Sequence, residues 1–474
     1  MPELEQIGSL AVLGLGKSGA AAALLARRRL PAVAVTALDV APAERLETPL
    51  DELRAAGVAL DLGPAHALPA GVDLLVKSPG VPNESPVVCE AARRGVPIWG
   101  EVEFAARFLG GHRWVGITGT NGKTTTTELT GAIVRDAGLP VEVAGNVGRA
   151  LATLPEGIAA GASIVAELSS FQLEYVERFR PAVAVLLNLS ADHLDRHGTY
   201  QAYAAAKLRI FENQTGDDLA LLNADDPGSA GLCLPGTPRA AAFSLGDESV
   251  ATAGFAAPLA AGMTGDLLWL RAGEDRVELC RVGELALRGE HNVANSLAAA
   301  AAAAALGAPP ESIAATLRSF PGVVHRLQVV GVVAGVTYVN DSKATNVDAA
   351  LKALTAYSGP VHMILGGSLK GASYDELAAA TEGRIKEALL IGQAAAPLEE
   401  AFRRRRAAVG ERATPFVALP DMEAAVRHAA ATAVAGDVVL LSPACASFDQ
   451  YRNFERRGEH FSELVQRLEE NATR

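Results

Sequence analysis

The run Gly119-Thr120-Asn121-Gly122-Lys123-Thr124-Thr125 follows the apolar stretch Trp114 to Ile117 and leads into a helical pattern. Backbone N–H groups in such a glycine turn can wrap a phosphate, a lysine can neutralise transferring charge, and a threonine hydroxyl can ligate Mg2+. Ile117 stands where a general phosphate loop has its first glycine, so the shorter Gly119-to-Gly122 spacing marks a subclass. A threonine-rich helix cap is the plain structural alternative. A second turn, Gly14-Leu15-Gly16-Lys17-Ser18-Gly19, satisfies G-x-G-x-x-G, with Asp39 close to the place of a ribose-binding acid. It predicts either a phosphate at a helix N-terminus or a structural corner, and does not separate NAD from another nucleotide diphosphate. Ser78-Pro79-Gly80 is a third glycine turn, with either a ligand or a structural role.

Glu167 ends the apolar run Ser163 to Ala166, and His193 follows the run Ala182 to Leu187. A strand-terminal glutamate is more often a cap or surface residue. Beside a phosphate loop, however, this carboxylate and imidazole could ligate a metal that bridges ATP and an acceptor. Lysine is scarce, eight among 42 basic residues, and six of the eight (Lys17, Lys77, Lys123, Lys207, Lys343 and Lys370) lie in or beside segments with binding character. A composition that favours arginine keeps lysine where an amine or a compact ammonium is needed. Lys207, beside Arg209, is the hardest of these to read as a solvated helix charge.

These residues need strand ends to hold them. Short apolar runs (Leu10 to Leu13, Leu74 to Val76, Trp114 to Ile117, Ala182 to Leu187, Val361 to Leu365, Val438 to Leu441) alternate with alanine-rich helical stretches, the pattern of parallel sheets covered by helices. At 474 residues, the chain predicts about three domains. The expected α/β architecture is an N-terminal Rossmann-like domain over 1–103, a central P-loop-type mononucleotide-binding sheet over 104–321 and a C-terminal Rossmann-like domain over 322–474. The tract Ala298 to Ala305 predicts a strong helix stopped by Gly307 and Pro309-Pro310, whereas Pro235 to Arg281 carries no motif. A net charge of −12 argues against nucleic-acid or anionic-membrane partners and leaves small molecules. The four cysteines form no C-x-x-C pair, and the acidic N-terminus lacks the order of a secretory signal. The expectation is a cytoplasmic monomer.

In the segments Thr118 to Thr126, Glu167 to Leu173, Asp192 to Lys207, His291 to Asn295, His325-Arg326, Asn340 to Asn346 and Ser442 to Phe461, the chain resembles the Mur ligase family. That family joins amino acids to the peptidoglycan precursor, and the likeness covers essentially the full chain. The segment Ser442 to Gly458 is similar to that of the D-glutamate-adding branch. The resemblance implies that ATP phosphorylates the alanine carboxylate of UDP-N-acetylmuramoyl-L-alanine to an acyl phosphate. The amine of D-glutamate then attacks, and the tetrahedral intermediate expels phosphate.

The resemblance also implies roles. Gly119, Thr120, Asn121, Gly122, Lys123, Thr124 and Thr125 would hold ATP, with Thr124 on the first of two Mg2+ ions. Glu167, His193 and Lys207 would form the second metal site, with Lys207 carbamylated, and together with Lys123 would be the catalytic set. Asn292 and Asn295 match adenine-side contacts, and Arg326, Asp341 and Lys343 match groups of the third domain that reach the nucleotide. On the UDP-linked side stand Gly14, Gly16, Lys17, Ser18, Ser78, Pro79, Gly80, Asn146, Ser169 and His193. Lys17-Ser18 and Val40-Ala41 depart from the family pattern, so Asn146 is the firmer of these. Thr345, Lys370, Ser447, Phe448 and Phe454 match a D-glutamate pocket, with a core role as the alternative for the two phenylalanines. Rival readings are another Mur ligase or a folylpolyglutamate-type ligase, a nicotinamide-dependent dehydrogenase that would leave the Lys123 loop unexplained, and a nucleotide-binding switch that would not need Lys207, Asp341 and Lys343 together.

Overall fold

The computed structural model describes residues 3–46, 48–64, 67–229, 232–246, 259–357, 359–369 and 373–472. It divides into two compact units, Met1–Ala286 with Glu290–Phe320 and Leu287–Gly289 with Pro321–Arg474.

The first unit holds two sheets. In one, the strands Ala59–Leu62, Ala34–Asp39, Ser9–Leu13, Leu74–Lys77 and Ile98–Gly100 lie side by side in that order, all parallel. Leu10, Val12, Leu74 and Leu75 are buried, as expected of strands with both faces covered. The chain steps outward from Ser9–Leu13 on one side, then returns to Leu74–Lys77 on the other. The loops after these two neighbours lie at the point where the strand order reverses, at the carboxyl ends of the strands, the place where open α/β sheets bind ligands. The Gly14 turn and Ser78 to Gly80 both follow those strands.

The second sheet runs Asp275–Arg281, Leu267–Ala272, Leu259–Thr264, Arg239–Phe243, Leu219–Asn223, Val183–Leu186, Trp114–Thr118, Ser163–Glu167, Val141–Gly145. It is parallel from Leu259–Thr264 onward and closes with an antiparallel hairpin pair at the other edge. The described part of the motif-free stretch from Pro235 to Arg281 builds the strand Arg239–Phe243 and the three strands that end in this antiparallel edge. Trp114–Thr118 lies between Val183–Leu186 and Ser163–Glu167, third from the parallel edge, and is wholly buried. The alanine tract lies within the helix Glu290–Ala305, whose small side chains allow close packing on Lys123–Asp136. The junction expected at 103–104 falls within the helix Glu101–Ala106.

Buried acids join the two sheets there. Glu103, fully buried, accepts the backbone N–H groups of Glu177, Arg178 and Phe179 at 2.8–2.9 Å and pairs with Arg107 at 2.5 Å. Trp99 donates its indole N–H to Glu177 at 2.6 Å. Glu101, also buried, accepts the Ala152 N–H at 2.8 Å, while its other oxygen has no hydrogen-bond partner.

The second unit is a six-stranded sheet in the order Gln328–Val333, Val336–Asn340, Val438–Leu441, Val361–Gly366, Ile385–Ile391, Phe416–Ala418. Only the first pair is antiparallel. Two apolar clusters cover its faces, one built around Met363 and Leu440 and the other around Ile364 and Phe461. The helix Phe454–Ala472 packs on the antiparallel edge strand.

Burial raises the Glu101 carboxyl to about 7, against the opposing pull of the Ala152, Leu151 and Ser18 hydrogen bonds. The folded form holds its proton after the unfolded chain has lost it, so stability falls as pH rises from about 4.5 through 7. The expected loss for the wild type is up to ~3 kcal/mol. Thermal unfolding at pH 5 and pH 8 should show this drop in the wild type and a flatter profile in Glu101→Gln.

Candidate active site

The phosphate loop grows from the end of the buried strand Trp114–Thr118. Gly119 has φ +152 and a Cβ there would press on Leu187 at 3.0 Å; Gly122, the N-cap of Lys123–Asp136, has φ +84. Both conformations favour glycine. Asn188 fixes the loop from both sides, accepting from the Asn121 N–H at 2.8 Å and donating to its carbonyl at 3.1 Å. The Thr120 N–H bonds the Asn188 carbonyl at 2.9 Å, and its hydroxyl donates to the Ser190 carbonyl at 3.1 Å. Thr124 and Thr125 are buried on the first helical turn. Asn295 stands against Gly122 so closely that a Cβ there would collide with its Oδ1. Asn295 in turn donates to Asn292 at 3.1 Å and accepts from Thr126 at 3.4 Å. The two asparagines thus brace the loop from the neighbouring helix.

Two ammonium groups meet at one carbonyl. Lys123 Nζ donates to the Gly119 and Thr120 carbonyls, each at 2.9 Å, and Lys207 Nζ donates to the Gly119 carbonyl at 2.8 Å. Lys207 is 2 % exposed and lies over the Tyr203 ring. Burial, reinforced by the Lys123 charge, brings its amine down to about 6, although Asp192 and Glu167 pull the other way. Glu167 closes its strand and is buried; Asn146 donates to its Oε1 at 2.7 Å, and its Oε2 has no hydrogen-bond partner. Gly145, at φ +108, lets Asn146 reach it, since a Cβ there would overlap the Glu167 carbonyl. His193 has φ +50, is half exposed and leans on Phe171 at 4.9 Å. Ser169 caps the helix Ser170–Leu173 by accepting the Gln172 N–H at 3.3 Å.

At the edge of the first sheet the glycines divide the work. Gly14 has φ +88, a Cβ on Gly19 would overlap the Gly14 carbonyl, and a Cβ on Gly16 would meet open space. The turn is therefore tight, its helix packs closely, and its exposed point can receive a ligand. Asp39 accepts the Leu15 N–H at 2.6 Å and the Ala41 N–H at 2.8 Å, so it braces the turn itself. Ser78 donates to the Gly14 carbonyl at 2.6 Å, linking the two turns, and Gly80 faces open space. Lys17 opens the helix Lys17–Arg29 and is exposed; Ser18 follows it on the first turn and is half-buried.

In the second unit, Arg326 stands between two left-handed residues, His325 at φ +64 and Leu327 at φ +44. Such strain persists only where the surroundings fix it. Asp341 supplies part of that fixing, accepting the Leu327 N–H at 3.2 Å and the Ser442 hydroxyl at 2.8 Å. Burial raises its carboxyl to about 6. Lys343 lies 5.9 Å from the centre of the Phe454 ring, and the Thr345 N–H bonds the Lys343 carbonyl at 2.9 Å. Ser447 is buried; Phe448 is 73 % exposed, which corrects the core alternative for that residue because its ring stays in solvent. Phe454 starts its helix and meets His325 edge-on. Lys370 lies outside the described residues.

Among the described residues, no group of three or more His, Cys, Asp or Glu side chains could hold a metal ion. The unpartnered Glu167 Oε2 and the Thr124 hydroxyl nonetheless fit Mg2+, which takes few protein ligands and completes its shell with phosphate and water.

Residues 117–303 match the model of the Mur ligase middle domain, and residues 325–445 that of the Mur ligase glutamate ligase domain. The UDP-N-acetylmuramoylalanine–D-glutamate ligase of Acidobacterium capsulatum is 44% identical over 458 residues, 96% of this chain and 95% of that one. The enzyme of the same name from Solibacter usitatus is 44% identical over 466 residues, 97% of each. The chain belongs to the Mur ligase family. Among solved structures, its fold is similar to UDP-N-acetylmuramate-alanine ligase MurC of Thermotoga maritima (TM-score 0.58, 19% identity, 97% of this chain and 99% of that one). It is likewise similar to MurF of Acinetobacter baumannii (TM-score 0.58, 17% identity, 92% and 91%).

Sequence reading missed several residues of this Mur ligase. Asn188 directly follows the run Ala182 to Leu187; Glu174 lies one residue beyond the segment Glu167 to Leu173 and Arg196 within Asp192 to Lys207, neither with a role; Arg457 sits in an Arg-Arg pair that looks like surface charge. Arg457 is in fact 1 % exposed and donates to the Ser342 hydroxyl and carbonyl and to the Cys445 and Ala446 carbonyls at 2.9–3.2 Å. It ties the Ser342 segment to the Cys445 segment.

Gly122→Ala would bring a methyl onto Asn295 and hold a non-glycine residue at positive φ, a cost of about 1–2 kcal/mol before any clash. The expected outcome is a rise of about tenfold or more in the KM for ATP, with thermal stability lowered only slightly, measured by steady-state kinetics and calorimetry.

Proposed function

We propose that this ligase adds D-glutamate to UDP-N-acetylmuramoyl-L-alanine, through an acyl phosphate, in the cytoplasm and as a monomer. Its membership of the Mur ligase family makes it an ATP-dependent ligase of peptidoglycan synthesis. The specific substrates rest on the full-length likeness to ligases of that name and on the segment Ser442 to Gly458. Residues 1–103 are read as the domain for the UDP-linked substrate, 104–321 as the ATP domain and 322–474 as the amino-acid domain. Among the described residues no helix is long and apolar enough to cross a membrane.

The observation that carries the catalytic reading is the buried Lys207 amine on the Gly119 carbonyl, beside Lys123 and near Glu167. An amine brought down to about 6 is mostly uncharged at neutral pH, the form that adds CO2 to give a carbamate and a proton. Conversion of Lys207 to a carbamate would place an anion beside the Lys123 ammonium and near the unpartnered Glu167 oxygen. Lys207 and Glu167, with His193, would then hold the second Mg2+, and Thr124 the first. Bound there, Mg2+ would neutralise phosphate and carboxylate oxygens as charge shifts between them.

The chain's own groups do the rest. The N–H groups of the loop that Asn188 does not already hold, Thr120 and Asn121 being held by it, receive the ATP phosphates, and Lys123 neutralises charge on the group in transfer. Asn292 and Asn295 brace that loop and stand on the adenine side. Asn146 positions Glu167, and the Gly14 and Ser78 turns take the diphosphate of the acceptor. In the second unit, Arg326, Asp341 and Lys343 are assigned to the nucleotide, and Thr345, Lys370, Ser447, Phe448 and Phe454 to D-glutamate.

The test is phosphate release from ATP with UDP-N-acetylmuramoyl-L-alanine, comparing D-glutamate with L-glutamate, meso-diaminopimelate, L-lysine and no amino acid. Turnover with D-glutamate alone is expected; turnover with another amine would refute the substrate assignment. Lys207→Arg keeps the charge but cannot take up CO2 in this way, and is expected to lower kcat by about a hundredfold or more. Activity near the wild type in Lys207→Arg would remove the carbamate from the reading.

A further inference from the structure

Glu174 follows the short helix Ser170–Leu173, and its side chain is 9 % exposed. Basic groups from two segments converge on it. Lys77, at the end of its strand in the first sheet and 1 % exposed, places Nζ 3.6 Å away; Arg196 lies at 3.2 Å and His197 Nδ1 at 3.8 Å. Arg196 also donates to the Pro79 carbonyl at 3.3 Å and the Val81 carbonyl at 2.9 Å. A single guanidinium therefore joins the turn of the first sheet to a carboxylate of the central one. It lies over Phe171, 4.6 Å from the ring centre, and the same ring carries His193 and, at 5.3 Å and nearly parallel, His197. Arg196 is three residues beyond His193 in the chain. Whatever fixes Arg196 fixes both the turn at Ser78 to Gly80 and the segment that presents His193.

This is more than a fold contact. The two-sheet seam is already held by Glu103, Trp99 and their partners, which lie elsewhere along it. The Glu174 cluster instead clamps two loops at strand ends, where binding groups are carried. Buried charges of this kind act as a set, because removing one partner leaves the others unpaired. Without Glu174, Lys77 and Arg196 would face one another as like charges, and Arg196 would lose its anchor on the turn.

We propose that Glu174 and Arg196 are positioning residues for the UDP-linked acceptor: they hold the Ser78-Pro79-Gly80 turn at a fixed separation from His193. The proposal rests on the reading of that turn as part of the acceptor site. Its consequence is selective. Anchoring of the acceptor far from the reacting carboxylate weakens, while the Lys123 loop, held by Asn188 and Asn295, keeps its hold on ATP.

The test is steady-state kinetics of the full-length Glu174→Gln, Arg196→Met and Arg196→Lys variants, with thermal unfolding measured alongside. The expected result for Glu174→Gln and Arg196→Met is a KM for UDP-N-acetylmuramoyl-L-alanine raised about tenfold, the scale of one or two lost charge-assisted hydrogen bonds. The KM values for ATP and D-glutamate should stay within about twofold, kcat should fall because the same clamp holds the His193 segment, and Arg196→Lys should recover part of both losses. An unchanged acceptor KM, or a fall in all parameters together with lost thermal stability, would overturn the proposal. Gly80→Val checks the underlying reading separately, because a side chain there meets open space in the fold. A raised acceptor KM in Gly80→Val supports the turn as part of the acceptor site, so that a silent Glu174→Gln then refutes the clamp alone; an unchanged KM in Gly80→Val refutes the turn assignment and the proposal with it.

Discussion

The central site is organised by two lysine side chains that share the carbonyl of Gly119. Lys123 and Lys207 both donate to that oxygen, and the Lys123 charge adds to burial in lowering the Lys207 amine. One carbonyl dipole cannot neutralise two ammonium groups, so the proposed arrangement is one that receives anions: phosphate at Lys123 and, in the carbamate reading, a negative charge on Lys207. Tyr203, whose hydroxyl donates to Thr120 and whose ring lies under Lys207, keeps the amine on the loop and away from water. Glycine at 119 and 122 is what lets the backbone come this close. The geometry of the loop and the chemistry of the lysines are therefore one constraint.

The same device recurs where no chemistry is done. Glu103 gathers consecutive backbone N–H groups at the start of the Glu177 segment, and Arg457 gathers carbonyls of two loops in the second unit. In each case a long polar side chain satisfies backbone groups that a buried loop would otherwise leave unpaired, which costs more than the bond itself returns. Strand ends are irregular by necessity, and these residues make the irregularity rigid. Rigid loops can then hold ligand groups in one arrangement.

Much of this was legible in the sequence because it is local. Apolar runs gave the strands at Leu10, Leu74, Trp114, Val361 and Val438 to within a residue or two, and the glycine spacing gave the phosphate loop together with Lys123 and Thr124. Lysine scarcity pointed to Lys207 before any contact was known. What stayed hidden depends on residues far apart in the chain. Glu101 reads as a helix-start carboxylate, Arg457 as one of two solvated arginines, and Asp39 as a ribose ligand, whereas each is engaged with distant segments or turns. Asn292 and Asn295 share a helix face as expected, yet only packing against Gly122 shows that they brace the loop. Local pattern carries strand and loop; the partner of a buried charge is a tertiary fact.

Arg457 shows how far a structural charge can reach into function. Its guanidinium is surrounded by hydroxyl and carbonyl oxygens, which solvate a cation without cancelling it, and burial lowers it only to about 10, so it stays charged at neutral pH. The field of such a group is weakly screened inside the protein. It falls on the Ser342 and Cys445 segments, which lead directly into Thr345 and Ser447, the hydroxyls assigned to the carboxylates of D-glutamate. Neutral hydroxyls gain strength as anion ligands when a fixed positive charge lies behind them. In the proposed reading, a cation placed one layer back reinforces those hydroxyls as ligands of a carboxylate.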